Sequence, residues 1–197
     1  VKDSQKTGRA MEEIKIFGRG GQGAVTAAQI LATAAFKDGF WAQTFPQFGA
    51  ERRGAPVIAF IRLAGESIPI RSKVYAPDTV VVMDFNLFKM LDPLADLKPE
   101  GLAILNYPDS GPPLESSFKG RAGRLFTVDA TRIAHGLYGP TTIPITNVII
   151  LGAYCAAAES VSLKSVEATL PEFFPGPKVD QNLRAAKLGF ENLRRVW

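Results

Sequence analysis

Residues 14–32 read IKIFGRGGQGAVTAAQILA: an apolar run closes in a glycine-rich turn, and a small-residue helix pattern follows. Gly18, Gly20 and Gly23 satisfy the spacing G-x-G-x-x-G. Gly18 permits a tight turn after a strand. Gly20 and Gly21 let backbone N–H groups approach an anion, and Gly23 lets the helix pack on the sheet. The N-terminus of that helix adds positive potential suited to a phosphate or a carboxylate. A bare structural turn uses the same spacing, so the glycines alone do not separate the two readings. A site of NAD type also needs an acid at the end of the second strand to hold the ribose. Asp38 has about the right separation but precedes that strand, which ends Gln43-Thr44-Phe45-Pro46 without an acid. No Gly-Lys-Ser/Thr follows the glycines, so the turn is not a P-loop.

Other polar residues sit where chemistry is conceivable. Glu51-Arg52-Arg53-Gly54 follows the second strand, on the same sheet edge as the glycine turn if the strands run parallel. Two arginines there add phosphate contacts, or form a solvated or interface loop. Asp84 and Asn86 follow an apolar strand at an edge where ligands bind, and capping of the next helix explains Asp84 as well. His135 is the single histidine and reads as helix C-terminal charge or capping. Cys155, the single cysteine, lies in an apolar Gly-Ala-Tyr-Cys-Ala run and reads as a buried structural thiol. One cysteine and one histidine supply neither a zinc or iron–sulfur ligand set nor a nucleophile–base pair. No catalytic residue and no metal site are therefore assigned to this chain.

The elements that must position these residues follow from the apolar pattern. Residues 13–17 alternate as a first strand, and residues 23–36 carry an alanine-rich helical stripe ended by Gly39. Residues 40–45 form a second strand stopped by Pro46. Residues 57–63 form a strong strand, with residues 67–71 returning as its hairpin partner. Residues 79–83, 102–106 and 125–128 are apolar runs suited to buried parallel strands. Residues 108–123 read as a Gly/Pro/Ser loop, and the rest is helical: 129–134, 147–158, 162–170 with a Ser cap, and 180–196. The order predicts an α/β fold, a mostly parallel Rossmann-like sheet with a β-hairpin insertion and flanking helices.

At 197 residues the chain is long enough for one domain with a real core. Residues 1–10 are polar and read as a flexible N-terminal extension, with Met11 a natural start and residues 11–197 a single domain. The net charge of +4 is spread among interspersed acids, which argues against a nucleic-acid stripe and still suits a small polyanion. No apolar run reaches the ~18 residues of a membrane span, and no signal-peptide core is visible, so a cytoplasmic location is expected.

Three blocks carry a family resemblance: Gly18-Arg19-Gly20-Gly21-Gln22-Gly23; Phe45-Pro46-Gln47-Phe48-Gly49-Ala50-Glu51-Arg52-Arg53-Gly54-Ala55-Pro56; and Pro144-Ile145-Thr146-Asn147 with Leu151-Gly152-Ala153. Together they resemble the gamma subunit of the 2-oxoacid:ferredoxin oxidoreductases, which act on pyruvate, 2-oxoisovalerate, indolepyruvate or phenylglyoxylate. The resemblance runs from about Met11 to the C-terminal helix. It implies a multisubunit complex that oxidatively decarboxylates a 2-oxoacid with coenzyme A, giving acyl-coenzyme A, carbon dioxide and reduced ferredoxin, or NADH in some members. Thiamine diphosphate, Mg2+ and [4Fe-4S] clusters belong to partner subunits, and the partners are alpha, beta and ferredoxin-like delta subunits. Carried onto this chain, Gly18 to Gly23, Arg19 and Gln22 included, would face coenzyme A, with Arg52 and Arg53 near the coenzyme and the subunit interface. Asn147 matches a polar position near the same crevice, or simply caps its helix. Glu51 orders an arginine or an interface. Pyruvate is the base-rate substrate, with phenylglyoxylate or another aromatic or branched oxoacid as runner-up. A purely structural assembly subunit is the alternative, and a free-standing dehydrogenase a weaker third reading. An obligate interface should expose Phe48, Phe173, Phe174 and Trp197 on the isolated chain.

Overall fold

The computed structural model describes residues 10–48 and 54–197. The elements are β1 (Glu12–Arg19), α1 (Ala24–Lys37), β2 (Trp41–Phe48), β3 (Pro56–Ala64), β4 (Thr79–Val82), β5 (Leu102–Asn106), α2 (Glu115–Phe118), β6 (Arg124–Val128), α3 (Ala130–Tyr138), α4 (Asn147–Ala158), α5 (Leu163–Phe173), α6 (Lys178–Glu191) and β7 (Arg194–Arg195). A short 3-10 turn covers Phe85–Lys89. One seven-stranded sheet has the order β2-β3-β1-β4-β5-β6-β7. The pairs β1–β4, β4–β5 and β5–β6 are parallel. Strands β3 and β7 run against the rest, so β2 points the same way as β1 although β3 lies between them.

Side-chain alternation sorts the core into two layers. Ile14, Ile16, Val81, Met83, Leu102 and Ile104 face a large cluster with the buried sides of α1, α3, α4, α5 and α6. Val80, Val82, Ala103 and Leu105 face a smaller cluster with Leu87, Leu94, Tyr107 and Phe118. Helix α4 is apolar on every side and nearly all buried, as expected for an internal helix. It packs on α6 through two glycines. A Cβ at Gly152 would lie 1.9 Å from the Ala186 carbonyl oxygen, and one at Gly189 would lie 1.8 Å from that of Ile149. Side chains there would push the two helices apart.

The expected class holds; a short helix, Glu115–Phe118, lies within the expected 108–123 loop, and four further points differ. The hairpin is β2–β3, joined by the arginine-containing loop; residues 67–71 form no strand. Both edges of β3 are already taken, by β1 and β2, so a further partner has nowhere to pair. Strand β2 runs through Pro46 to Phe48 instead of stopping there. As an edge strand it tolerates a residue without an N–H. The C-terminal helix ends at Glu191, and Arg194–Arg195 adds a strand to the open side of β6. Lastly, Phe173 and Phe174 are half-buried against the main core and Trp197 against the smaller one. Trp197 Nε1 donates to the Ala122 carbonyl at 3.2 Å. The large apolar side chains most exposed among the described residues are Phe36, Tyr75 and Met90. Residues 1–9, most of the expected extension, and the side chain of Phe48 lie outside what is described.

Candidate functional site

The glycine turn lies at the C-terminal end of β1, where the order switches from β3 on one side to β4 on the other. Ligands of open α/β sheets bind at such a switch. A cavity of about 590 Å³ opens beside it, lined by Arg19, Gln22, Asp84, Asn106, Asp129 and Arg132 among others.

The turn is built from internal hydrogen bonds. Gln22 is buried, and its Oε1 accepts from the Arg19 N–H at 2.8 Å while its Nε2 faces Asp84 Oδ2 at 3.4 Å. Gly20 N–H donates to the Ala55 carbonyl, and Gln22 N–H to that of Arg19, both at 2.9 Å. Gln22 thus holds the turn to the end of β4, with both ends of its amide engaged by this chain. Arg19 Nε donates to the Gly54 carbonyl at 3.0 Å, and a second guanidinium nitrogen stands 3.6 Å from Asp84 Oδ2. The turn is also tight: a Cβ at Gly18 would lie 2.9 Å from that of Ala24.

What stays open is the far side of the turn. The N–H groups of Gly21 and Gly23 have no acceptor among the described residues. Gly23 caps α1 in the left-handed conformation, φ +83°, with no side-chain cap and no acid in the first helical turn. Its task differs from the expected helix-to-sheet packing. A Cβ on Gly23 would lie 2.7 Å from Asn147 Nδ2, so the missing side chain makes room for the start of α4. Asn147 is 4% exposed, and its Oδ1 accepts from Val148 N–H at 2.9 Å, which leaves Nδ2 turned toward Gly23.

Arg52, Arg53 and Glu51 lie outside the described residues. Their neighbour Gly54 is against Arg19, and Ala55 against Gly20, so this loop returns into β3 directly at the turn. The fold brings Gly18 to Gly23 and Asn147 together.

Three further residues frame the cavity and were not singled out beforehand. Asn106, ending β5, donates to the Met83 carbonyl at 2.8 Å and to Thr131 Oγ1 at 2.9 Å. Asp129, directly after β6, caps α3 through Arg132 N–H at 2.9 Å. Arg132 pairs with Asp109 at 2.8 Å and stands 3.7 Å from Asp129. For Asn106 and Asp129 the available signal was a polar residue closing or directly following an apolar strand. His135 lines the same cavity, and α3 continues past it to Tyr138. Asp84 Oδ1 accepts from Asn86 N–H at 2.9 Å, as the capping reading expects.

The Cys155 thiol is buried, and burial, with the Asp38 carboxylate second, pushes it up to about 12. A thiol so protonated is no nucleophile at neutral pH. Among the described residues, no group of three or more His, Cys, Asp or Glu side chains is placed to hold a metal ion, and no helix is long and apolar enough to cross a membrane.

Comparison with known proteins fits this geometry. Residues 13–192 match the family model described as pyruvate ferredoxin/flavodoxin oxidoreductase. The chain is 47% identical over 180 residues to the pyruvate/ketoisovalerate oxidoreductases common subunit gamma of Thermococcus kodakarensis, covering 91% of this chain and 96% of that protein. It is 44% identical over 184 residues to the pyruvate synthase subunit PorC of Methanothermobacter marburgensis, covering 93% and 98%. The crystal structure of the pyruvate oxidoreductase subunit PORC of Thermotoga maritima matches with a TM-score of 0.77 at 32% identity, over 95% of this chain and 99% of that one. At 20% identity and a TM-score of 0.74, the same fold spans 30% of the longer 2-oxoglutarate:ferredoxin oxidoreductase chain of Magnetococcus marinus and 92% of this one. The chain belongs to the pyruvate ferredoxin/flavodoxin oxidoreductase family, as a gamma-type subunit of a 2-oxoacid:ferredoxin oxidoreductase complex.

Proposed function

We propose that this subunit helps bind coenzyme A at the glycine turn and braces the thiamine-binding subunits of its complex. The carrying observation is the unfilled donor set at the crevice. Gly21 and Gly23 N–H groups without an acceptor among the described residues, and the uncapped, acid-free start of α1, adjoin Arg19 and Gln22, which line the cavity of about 590 Å³. Such a set favours an anionic group. Gly18 and Gly20 shape the turn, Gln22 and Arg19 stiffen it, and Asn147 borders it. Arg52 and Arg53, from the loop that returns at Gly54, would add positive charge. Coenzyme A supplies the acyl acceptor for the overall reaction. This chain's part is to hold its polar portion and orient it toward the partners.

Thiamine diphosphate, Mg2+ and [4Fe-4S] clusters would reside on alpha, beta and delta subunits, with ferredoxin or another carrier taking the electrons. Pyruvate is the first substrate to test, then branched and aromatic 2-oxoacids, phenylglyoxylate among them. One relative is named as a gamma subunit common to pyruvate and ketoisovalerate oxidoreductases, which supports substrate choice lying with the other subunits.

A brace without any ligand is the second reading. It is favoured by Arg19, Gly20 and Gln22 N–H groups already being satisfied within the chain. The native complex, purified through a tag on this chain, decides between them. Coenzyme A is titrated by calorimetry into wild type, Arg52→Ala/Arg53→Ala and Gly20→Val complexes. Affinity lost with assembly intact is the expected result. Unchanged affinity leaves the subunit as a brace.

A further inference from the structure

We propose that β2, the outermost strand of the sheet, is a dimer seam: it pairs antiparallel with β2 of a second copy of this chain, across a twofold axis at Gln43. The inference is independent of the coenzyme A reading.

The two lateral edges of the sheet are unlike. At one, β7 is two residues long and both are arginines, a form that discourages strand addition. At the other, β2 runs for eight residues, and no strand lies on its outer side among the described residues. Between Gly20 and Phe48 the charged residues are Lys37 and Asp38 alone, in a chain that is 21% charged. Both turn to α5 and the residue that caps it. Lys37 pairs with Glu172 at 2.6 Å, and Asp38 accepts from Ser162 N–H and from Ser165 Oγ, each at 2.7 Å. Helix α1 packs on β2, and its solvent side, with Val25, Gln29, Thr33 and Phe36, is as uncharged as the strand it flanks. Phe36 is 61% exposed and Trp41 44%. A long uncharged edge with exposed aromatic side chains has the composition of an interface.

The hydrogen-bonding phase of the strand selects the partner. The Gly20 N–H to Ala55 carbonyl bond and the β1–β3 register commit the odd-numbered residues of β3 to β1, so its even-numbered residues bond β2. Through the β2–β3 register, Trp41, Gln43, Phe45 and Gln47 are the β2 residues bonded inward. Ala42, Thr44 and Pro46 then direct their backbone groups outward, where a proline without an N–H is tolerated. Pro46 confines strand addition to the start of β2. A second β2, antiparallel and centred on Gln43, sets Ala42 against Thr44 of the other copy, and each such pair exchanges both of its N–H to carbonyl bonds. The same register sets Trp41 opposite Phe45 of the other copy, on the face where Phe45 already lies 5.2 Å from Phe60. The strand is thus complementary to itself, as a twofold interface requires. The strand and the helix beside it present a face on the order of 500 Å² per copy, near the ~1,000 Å² total of the smallest stable interfaces.

The test uses the full chain. Sedimentation equilibrium should show a dimer forming by about 100 µM, and hydrogen exchange at the Ala42 and Thr44 amides should slow as it forms. Thr44→Pro removes an outward N–H and leaves the ladder to β3 intact, so dimerisation should weaken about tenfold or more with the circular dichroism spectrum kept. Trp41→Lys, at an exposed position, should weaken it too, and serves if Thr44→Pro does not fold. Gln43→Cys should cross-link two copies on oxidation, because opposed residues of a non-hydrogen-bonded pair stand about 4.5 Å apart. Gln47→Cys, away from the axis, should not. A monomer at that concentration, a dimer unchanged by the folded variants, or a cross-link through Gln47→Cys in place of Gln43→Cys overturns the seam. So does protection of the Ala42 and Thr44 amides that arises only when the other subunits of the complex are bound, which would assign this edge to one of them.

Discussion

The two edges of the sheet treat polar groups in opposite ways. At the edge where β1 begins, nearly every charge is answered. Arg62, 1% exposed, pairs with Glu13 at 2.8 Å, reaches Gln43 at 3.3 Å and lies over the Phe45 ring. Buried Lys15 pairs with Asp96 at 2.8 Å and donates to the Tyr75 carbonyl at 3.1 Å. Glu12 accepts from Thr79 and from Tyr154, each at 3.0 Å, and Asp78 ties Lys98 to the Glu13 N–H. A cavity of about 360 Å³ lies here too, but its Asp78 and Lys98 pair with each other and its Glu12 is held by Thr79 and Tyr154. At the opposite edge, among the described residues, the N–H groups of exposed Gly21 and half-buried Gly23, the buried Thr146 hydroxyl and the Asn147 amide nitrogen have no acceptor. A closed polar network stabilises and specifies; an open one retains the capacity to bind. The contrast supports a structural role for one edge and the proposed ligand site at the other.

The comparison is broken or sharpened by four measurements. Arg62→Ala should cost about 3–5 kcal/mol, because it strands Glu13 and opens a hole beside Phe45. Urea unfolding checks it, and a loss below ~1 kcal/mol would show that the closed edge is not structural. Gln22→Leu should cost about 1–3 kcal/mol by leaving the part-buried Arg19 N–H without its acceptor. In the assembled complex it should weaken coenzyme A more than Arg62→Ala does, provided both assemblies persist.

Cys155 tests how dry the core between the edges is. Its folded thiol titrates near 12, against 9.0 ordinarily. Its stabilisation relative to Cys155→Ala is then fully present below pH 9. As pH rises from 9 toward 12 the unfolded thiol ionises first, and the difference shrinks by about 1.4 kcal/mol per pH unit once that ionisation is complete. Urea unfolding of both proteins between pH 8 and 10 reads this, and a constant difference would mean that water reaches α4. Thr146→Val has the smallest effect and the opposite sign. Removing an unanswered hydroxyl should stabilise the free chain by up to ~1 kcal/mol. A destabilised variant in thermal unfolding would mean that the hydroxyl has a partner after all, and that this part of the open edge is closed.

What the sequence carried by itself was local. Residues 14–32 encode strand, turn and helix in one contiguous stretch, because the glycines and the apolar periodicity act over a few residues. The runs at 79–83 and 102–106 announce buried strands, since no alternation is required when both faces are covered. The all-round apolar stretch at 147–158 announces an internal helix. Only the tertiary structure decided which edges pair. Taking both sides of β3 made β2 its hairpin partner and left residues 67–71 without a strand, and the free side of β6 drew in Arg194–Arg195. It also placed Arg62 beside Glu13, and Asn147 in the space left by the absent Gly23 side chain. These are meetings of residues far apart in the chain. Strand order and helix packing fix them together, and no local spacing encodes them.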